Sequence, residues 1–170
     1  MIKNIKGNAL SNESKDFFRG KLATNTKYDK AGYESGDVNF KHHIEDENTQ
    51  IGIVASVHGI QGLCHGLAHQ SGWWKGVDET DMNVRATKLC LVHSEISEAL
   101  EGARKGLMDD HLPNRRMEEV ELADAIIRIF DYAETQGYDV GAAMVEKLIY
   151  NQQRADHKLE NRVKSGGKKV

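Results

Sequence analysis

From Gln50 onward, apolar residues recur every three or four positions over long stretches separated by short polar breaks, which is the period of amphipathic helices. The first stretch runs from Gln50 to Ser71. Ile53, Val57, Ile60, Leu63, Cys64 and Leu67 share one face, and Ala55, Gly59, Gly62 and Gly66 form a strip of small residues beside it. Glycine lowers helix propensity, so the strip is expected to mark the close approach of another backbone. Ser71-Gly72-Trp73-Trp74-Lys75-Gly76 ends the helix, with at least one tryptophan expected to be buried. A second helix, capped by Asp81 or Asn83 and closed by Gly106, presents Leu89, Val92, Ile96, Ala99, Leu100 and Ala103 as a bundle-like seam. The third spans about 116–135 with Gly137 closing it, and the fourth, capped by Asp139, is expected to reach about His157. The pattern predicts an all-α, four-helix bundle-type domain over residues 49–160. Residues 1–48 are polar with scattered aromatics (Phe17, Phe18, Tyr28, Tyr33, Phe40) and read as an extension that packs on the body or on a neighbouring subunit. Residues 161–170 read as a flexible tail.

The polar positions within the second and third helices carry the chemistry. Glu95-Ile96-Ser97-Glu98 and Glu121-Leu122-Ala123-Asp124 each place two acids three residues apart, on one helix face and about one turn apart. The third helix is apolar around most of its circumference, through Leu122, Ala123, Ala125, Ile126, Ile127, Ile129, Phe130 and Ala133. Only a narrow stripe of Glu121, Asp124, Arg128 and Asp131 is charged, and on such a helix this stripe has to face something other than bulk water. Four carboxylates around a small volume repel one another unless a cation lies between them. A hard divalent ion with oxygen ligands, most simply Mg²⁺ with Mn²⁺ as a substitute, suits that set. His58, His65 and His69 line another flank of the first helix, but no CxxC and no third histidine at ligand spacing completes a zinc site with them. On the fourth helix Lys147, Asn151 and Arg154 stand at i, i+4 and i+7, a face suited to a polyanion.

Composition narrows the classes. The 170 residues suffice for one domain with a core. A net charge of −3 supplies no basic field for nucleic acid or for an anionic membrane. No apolar run is expected to approach the length of a membrane span, and the N-terminus lacks a signal-peptide core. Cys64 and Cys90 fall among apolar helix positions and read as core residues of a reduced, cytoplasmic compartment. A phosphate-binding G-x-x-x-x-G-K-[ST] loop, a dinucleotide fingerprint and a nucleophile with an activating base are all missing from the sequence.

Together HSEISEALEGARKG, MEEVELADAIIRIFD and KLIYNQQR resemble the all-α, MazG-like nucleoside triphosphate pyrophosphohydrolases, whose pattern is E-x-x-E, a gap, E-x-x-D, then a Lys and Asn region. HQSGWWKG is similar to the Gly-Trp helix end found upstream in several members. The resemblance covers about residues 50–158. It implies Mg²⁺ held by Glu95, Glu98, Glu121 and Asp124, and hydrolysis of a nucleoside triphosphate to monophosphate and pyrophosphate. Glu98, or else Glu95, would act as the base. Lys147, Asn151 and Arg154 would meet phosphate oxygens, with Trp74 and the histidine flank as candidates for the pocket wall. It also implies a homodimer or homotetramer with sites near the subunit boundary. Two other classes compete. A di-metal carboxylate oxidoreductase bundle uses Glu-x-x-His motifs, and no E-x-x-H occurs in this chain. A non-enzymatic helical interaction module would have neither a tight divalent site nor turnover.

Overall fold

The computed structural model describes residues 44–158 and residue 161. The extension up to residue 43, the tail other than Asn161, and residues 159 and 160 lie outside the described residues. Four helices and no strand occur among those described: α1 (Glu47–Gln70), α2 (Met82–Lys105), α3 (Met117–Thr135) and α4 (Val140–Gln153), followed by a single 3₁₀ turn at Ala155–His157. The all-α expectation holds, and the helix ends follow local chemistry. Asp81 caps α2 by accepting the Asn83 N–H at 2.8 Å. Gly106, at φ 67°, closes it in the left-handed conformation that favours glycine. The fourth helix is shorter than expected. It stops at Gln153 and leaves Arg154 outside it, where the guanidinium bonds Asp156.

The chain divides into two compact units. One contains the residues up to Val57 together with those from Val140 onward, and the other is His58–Asp139. In the first unit α1 and α4 meet at Gly141, where a Cβ would lie 3.0 Å from the Val54 Cα. Val54, Val57 and Val145 are buried there.

In the second unit α2 and α3 are joined by the 106–116 loop and run antiparallel. Gly102 near the end of α2 meets Met117 and Glu118 at the start of α3, while Arg85 near the start of α2 donates to Tyr132 near the end of α3. A Cβ on Gly102 would meet the Glu118 nitrogen at 2.9 Å, so the helices close to a distance that only glycine permits. The loop is pinned by Asp109, buried and accepting the His111 N–H at 3.0 Å.

The packed faces differ from those expected. On α1 the buried positions are Gly52, Val54, Val57, Gln61 and Cys64, whereas Ile60, Leu63 and Leu67 are exposed. A Cβ on Gly59, Gly62 or Gly66 would meet nothing within 4 Å. The close backbone approaches fall at Gly102 and Gly141 instead. On α2 the buried residues are Glu95, Ala99 and Gly102, and Leu89, Ile96 and Leu100 face outward. On α3 Glu121, Ala125, Asp131 and Ala133 are buried while Leu122, Ile126, Ile127 and Ile129 are exposed. Cys90, expected in the core, is exposed, and Cys64 is buried.

By length and composition α1 also meets the requirements of a membrane span, which corrects the expectation that no apolar run approaches that length. The part of α1 in the second unit, however, carries Gln61 bonded to Glu134 and His65 bonded to Asp131, polar ties of a helix packed against protein.

Candidate metal and ligand site

The acidic stripe of α3 and the buried stripe of α2 face each other. One carboxylate oxygen from each of Glu95, Glu98 and Glu121 lies within 4.8 Å of the others. Glu95 and Glu121 are buried, and Glu98 is exposed. Oxygens bind a divalent ion at about 2.0–2.6 Å, so three at this separation need little movement to share one. Arg128 Nε–H donates to Glu95 Oε1 at 2.6 Å, a charge-assisted bond that fixes the Glu95 rotamer. Burial, a hydrogen bond in which Glu121 keeps the proton against Glu95, and the charges of Glu98, Glu95 and Asp124 push the Glu121 carboxyl up to about 7. The site therefore holds a proton where it could hold a cation.

Asp124 falls outside that trio. It stands half-buried one turn further along α3, in the wall of a cavity of about 250 Å³. Burial and then the Glu95 charge push its carboxyl up, opposed by the nearby Arg128. The rest of the wall comes from Ile127, Arg128 and Asp131 on α3, Lys88 and Leu91 on α2, Ala68 near the end of α1 and Trp73 beyond it. Because Arg128 lines the cavity and also holds Glu95, the cavity and the trio adjoin.

Of the two tryptophans, Trp74 is the buried one at 6% exposure, and Trp73, at 69%, is the one that lines the cavity. Trp74 had been the expected pocket wall; it serves instead as an internal strut. Its indole N–H donates to Asp131 Oδ1 at 2.8 Å, and the same oxygen lies 3.0 Å from His65 Nδ1. A carboxylate only accepts, so His65 Nδ1 carries the proton. Lys88 Nζ sits 3.9 Å from the Trp74 ring centroid and 3.9 Å from Asp131 Oδ2. Asp131 thus ties α3 to α2 and to the helix-end turn. Its place on the charged stripe of α3 was visible in sequence, but its role was not. Lys88 lies two turns before Glu95 on the same helix face, a cation among Val84, Val92 and Ala99 that could have drawn notice. His58, also on the histidine flank, meets Asp139 at 2.8 Å on the surface.

Lys147, Asn151 and Arg154 belong to the other unit and do not form the single helical face expected. Lys147 Nζ lies 4.9 Å from the Tyr150 ring centroid, Asn151 is half-buried with no partner for Oδ1, and Arg154 follows the helix and pairs with Asp156.

No protein-family model matches this chain, and no curated protein or solved structure matches it. Function has to be read from the residues themselves.

Proposed function

We propose that the chain is a Mg²⁺-dependent nucleoside triphosphate pyrophosphohydrolase of the MazG-like kind, acting in the cytoplasm. The observation that supports it most is the trio of Glu95, Glu98 and Glu121 on two facing helices, with its ligand oxygens within 4.8 Å. The donor set is all oxygen and suits Mg²⁺ or Mn²⁺ better than a softer ion. Glu95, Glu98 and Glu121 would hold the ion, with Asp124 reaching it from the next turn of α3. When bound, the ion neutralises phosphate charge and lowers the pKa of bound water.

The remaining work falls to the chain itself. Arg128 holds Glu95 in one orientation. Glu98, the exposed member of the trio, is the one positioned to take a proton from water. Lys147 and Asn151 remain the candidates for phosphate oxygens. Arg154 enters that group only if a ligand draws it away from Asp156.

The outward-facing aliphatic stripes support a homo-oligomer, dimer or tetramer. Ile60, Leu63 and Leu67 on α1 and Leu122, Ile126 and Ile129 on α3 repeat at helical spacing and are exposed. Soluble monomers rarely leave such stripes uncovered.

The deciding experiment is hydrolysis of a nucleoside triphosphate panel in ¹⁸O-labelled water, with and without Mg²⁺. Expected are pyrophosphate, and label in the monophosphate. Release of orthophosphate and a diphosphate, or no turnover on any nucleotide, would remove the proposal.

A further inference from the structure

At about 250 Å³ the cavity beside the trio has room for a heterocyclic base. Its walls are of two kinds. Trp73, Leu91 and Ile127 offer an indole and two aliphatic surfaces, on which a flat ring gains stacking and dispersion. Lys88 and Asp131 offer a polar edge. Asp131 is held by two donors on Oδ1, the Trp74 indole at 2.8 Å and His65 Nδ1 at 3.0 Å. Its Oδ2 has Lys88 Nζ at 3.9 Å, beyond hydrogen-bond reach. The carboxylate is therefore fixed in orientation with an acceptor still to use. The ammonium beside it, seated over the Trp74 ring, still has donors to use.

Taking the nucleotide substrate proposed above as given, we propose that this cavity holds the nucleobase, and that Asp131 and Lys88 select a base whose exocyclic amino group adjoins a ring acceptor. This is the edge shown by cytosine and adenine. The amino group donates to Asp131 Oδ2, and the neighbouring ring nitrogen accepts from Lys88. Uracil and hypoxanthine present a carbonyl oxygen and a ring N–H at those places. They would set acceptor against acceptor and donor against donor, and leave four groups desolvated without partners. A phosphate would meet Asp124 and Asp131 as well as Lys88 and Arg128, and Arg128 is already engaged by Glu95.

The test is binding by the metal-free protein, followed through quenching of tryptophan fluorescence, for two matched pairs of monophosphates: dCMP against dUMP and dAMP against dIMP. The wild-type chain is expected to prefer the amino-bearing member of each pair by roughly tenfold or more. Asp131→Asn keeps a carbonyl oxygen for Trp74 and His65 and places an amide donor where Oδ2 stood. Its preference is expected to move toward dUMP and dIMP. Lys88→Met is expected to lose most of the discrimination, and it decides the matter if Asp131→Asn does not give the wild-type circular dichroism. Trp73→Leu is expected to lose the quenching. Equal affinity within both wild-type pairs, no saturable quenching, or an unchanged preference in the folded variants would overturn the proposal. Pyrophosphate release from the matching triphosphates separates it from the activity it builds on. Turnover with equal kcat/KM for dCTP and dUTP rejects the base assignment and leaves hydrolysis standing. Discrimination in binding without turnover supports the base site and rejects hydrolysis.

Discussion

The electrostatic cost of the acidic cluster is concentrated at Glu121, where it can be measured without any substrate. Burial, the hydrogen bond to Glu95 and the surrounding carboxylates hold this carboxyl at about 7, against an ordinary value of 4.5. Between those two pH values the folded chain keeps a proton that the unfolded chain has lost. The slope of unfolding free energy with pH follows protons bound unfolded minus protons bound folded, which is negative here. The contribution of Glu121 is therefore fully present below about pH 4.5 and is lost as pH rises through 7. At 1.36 kcal/mol for each pK step the loss is at most about 3 kcal/mol, and solvent screening and sharing of the proton with Glu95 reduce it.

Glu121→Gln removes the titration and keeps a donor for Glu95. Without divalent metal the variant should match the wild type at pH 4 and exceed its stability at pH 8 by up to about 3 kcal/mol, a Tm gap of at most roughly 6–12 °C for a chain of this size. Thermal melts of both proteins in chelator across that range measure it, and the difference cancels the titrating groups that do not interact with Glu121. Mg²⁺ should then raise the wild-type Tm more at pH 8 than at pH 5, because it displaces the same proton, and should do little for Glu121→Gln. A Tm gap that stays flat with pH, or Mg²⁺ stabilisation equal in both proteins, would refute the assignment of Glu121 to a cation site.

Three further outcomes are expected. Asp124→Ala should keep the helical circular dichroism and a Tm no lower than wild type, since it relieves crowding, while lowering Mg²⁺-dependent pyrophosphate release on the order of 10²–10³-fold; near-wild-type activity would exclude Asp124 from the site. Gly102→Ala should cost about 1–3 kcal/mol in urea denaturation, because its Cβ meets the Glu118 backbone at 2.9 Å; Gly62→Ala, with nothing within 4 Å, should gain about 0.5–1 kcal/mol from helix propensity alone. Ile126→Glu should convert an oligomer into a folded monomer in sedimentation velocity, and a wild type that already sediments as a monomer at micromolar concentration would dispose of the oligomer proposal.

The helices were legible because their ends depend on local chemistry. Asp81 caps and Gly106 closes whatever the rest of the chain does. Which face of a helix turns inward is not local. Ile60, Leu63 and Leu67 make the stronger apolar stripe of α1, yet the chain buries Val54, Val57, Gln61 and Cys64. Periodicity identifies a surface that avoids water but does not say whether its cover comes from the same chain. The strip of Gly59, Gly62 and Gly66 stays open for the same reason: small residues permit close approach without causing it.

The acids were found by a different route. On α3 the question was what the rare charges face when most of the circumference is apolar, and Glu121 is indeed buried against α2. That logic applied equally to Asp131, two turns beyond Asp124 on the same stripe. Asp131 even has an acid three residues on, Glu134, but that side chain accepts from Gln61 and shares no site with it. Its partners, Trp74, His65 and Lys88, come from α1, α2 and the turn between them. The adjacent tryptophans make the limit sharpest. They sit in a turn between Gly72 and Gly76, both at positive φ, so neighbouring side chains leave it in different directions. The indole N–H is the only polar atom either side chain has. Burying it requires an acceptor, and Asp131, 57 positions away, supplies one to Trp74 alone. One long-range hydrogen bond thus decides which ring is buried and which is left exposed in the cavity wall, and no window of sequence around the pair contains it.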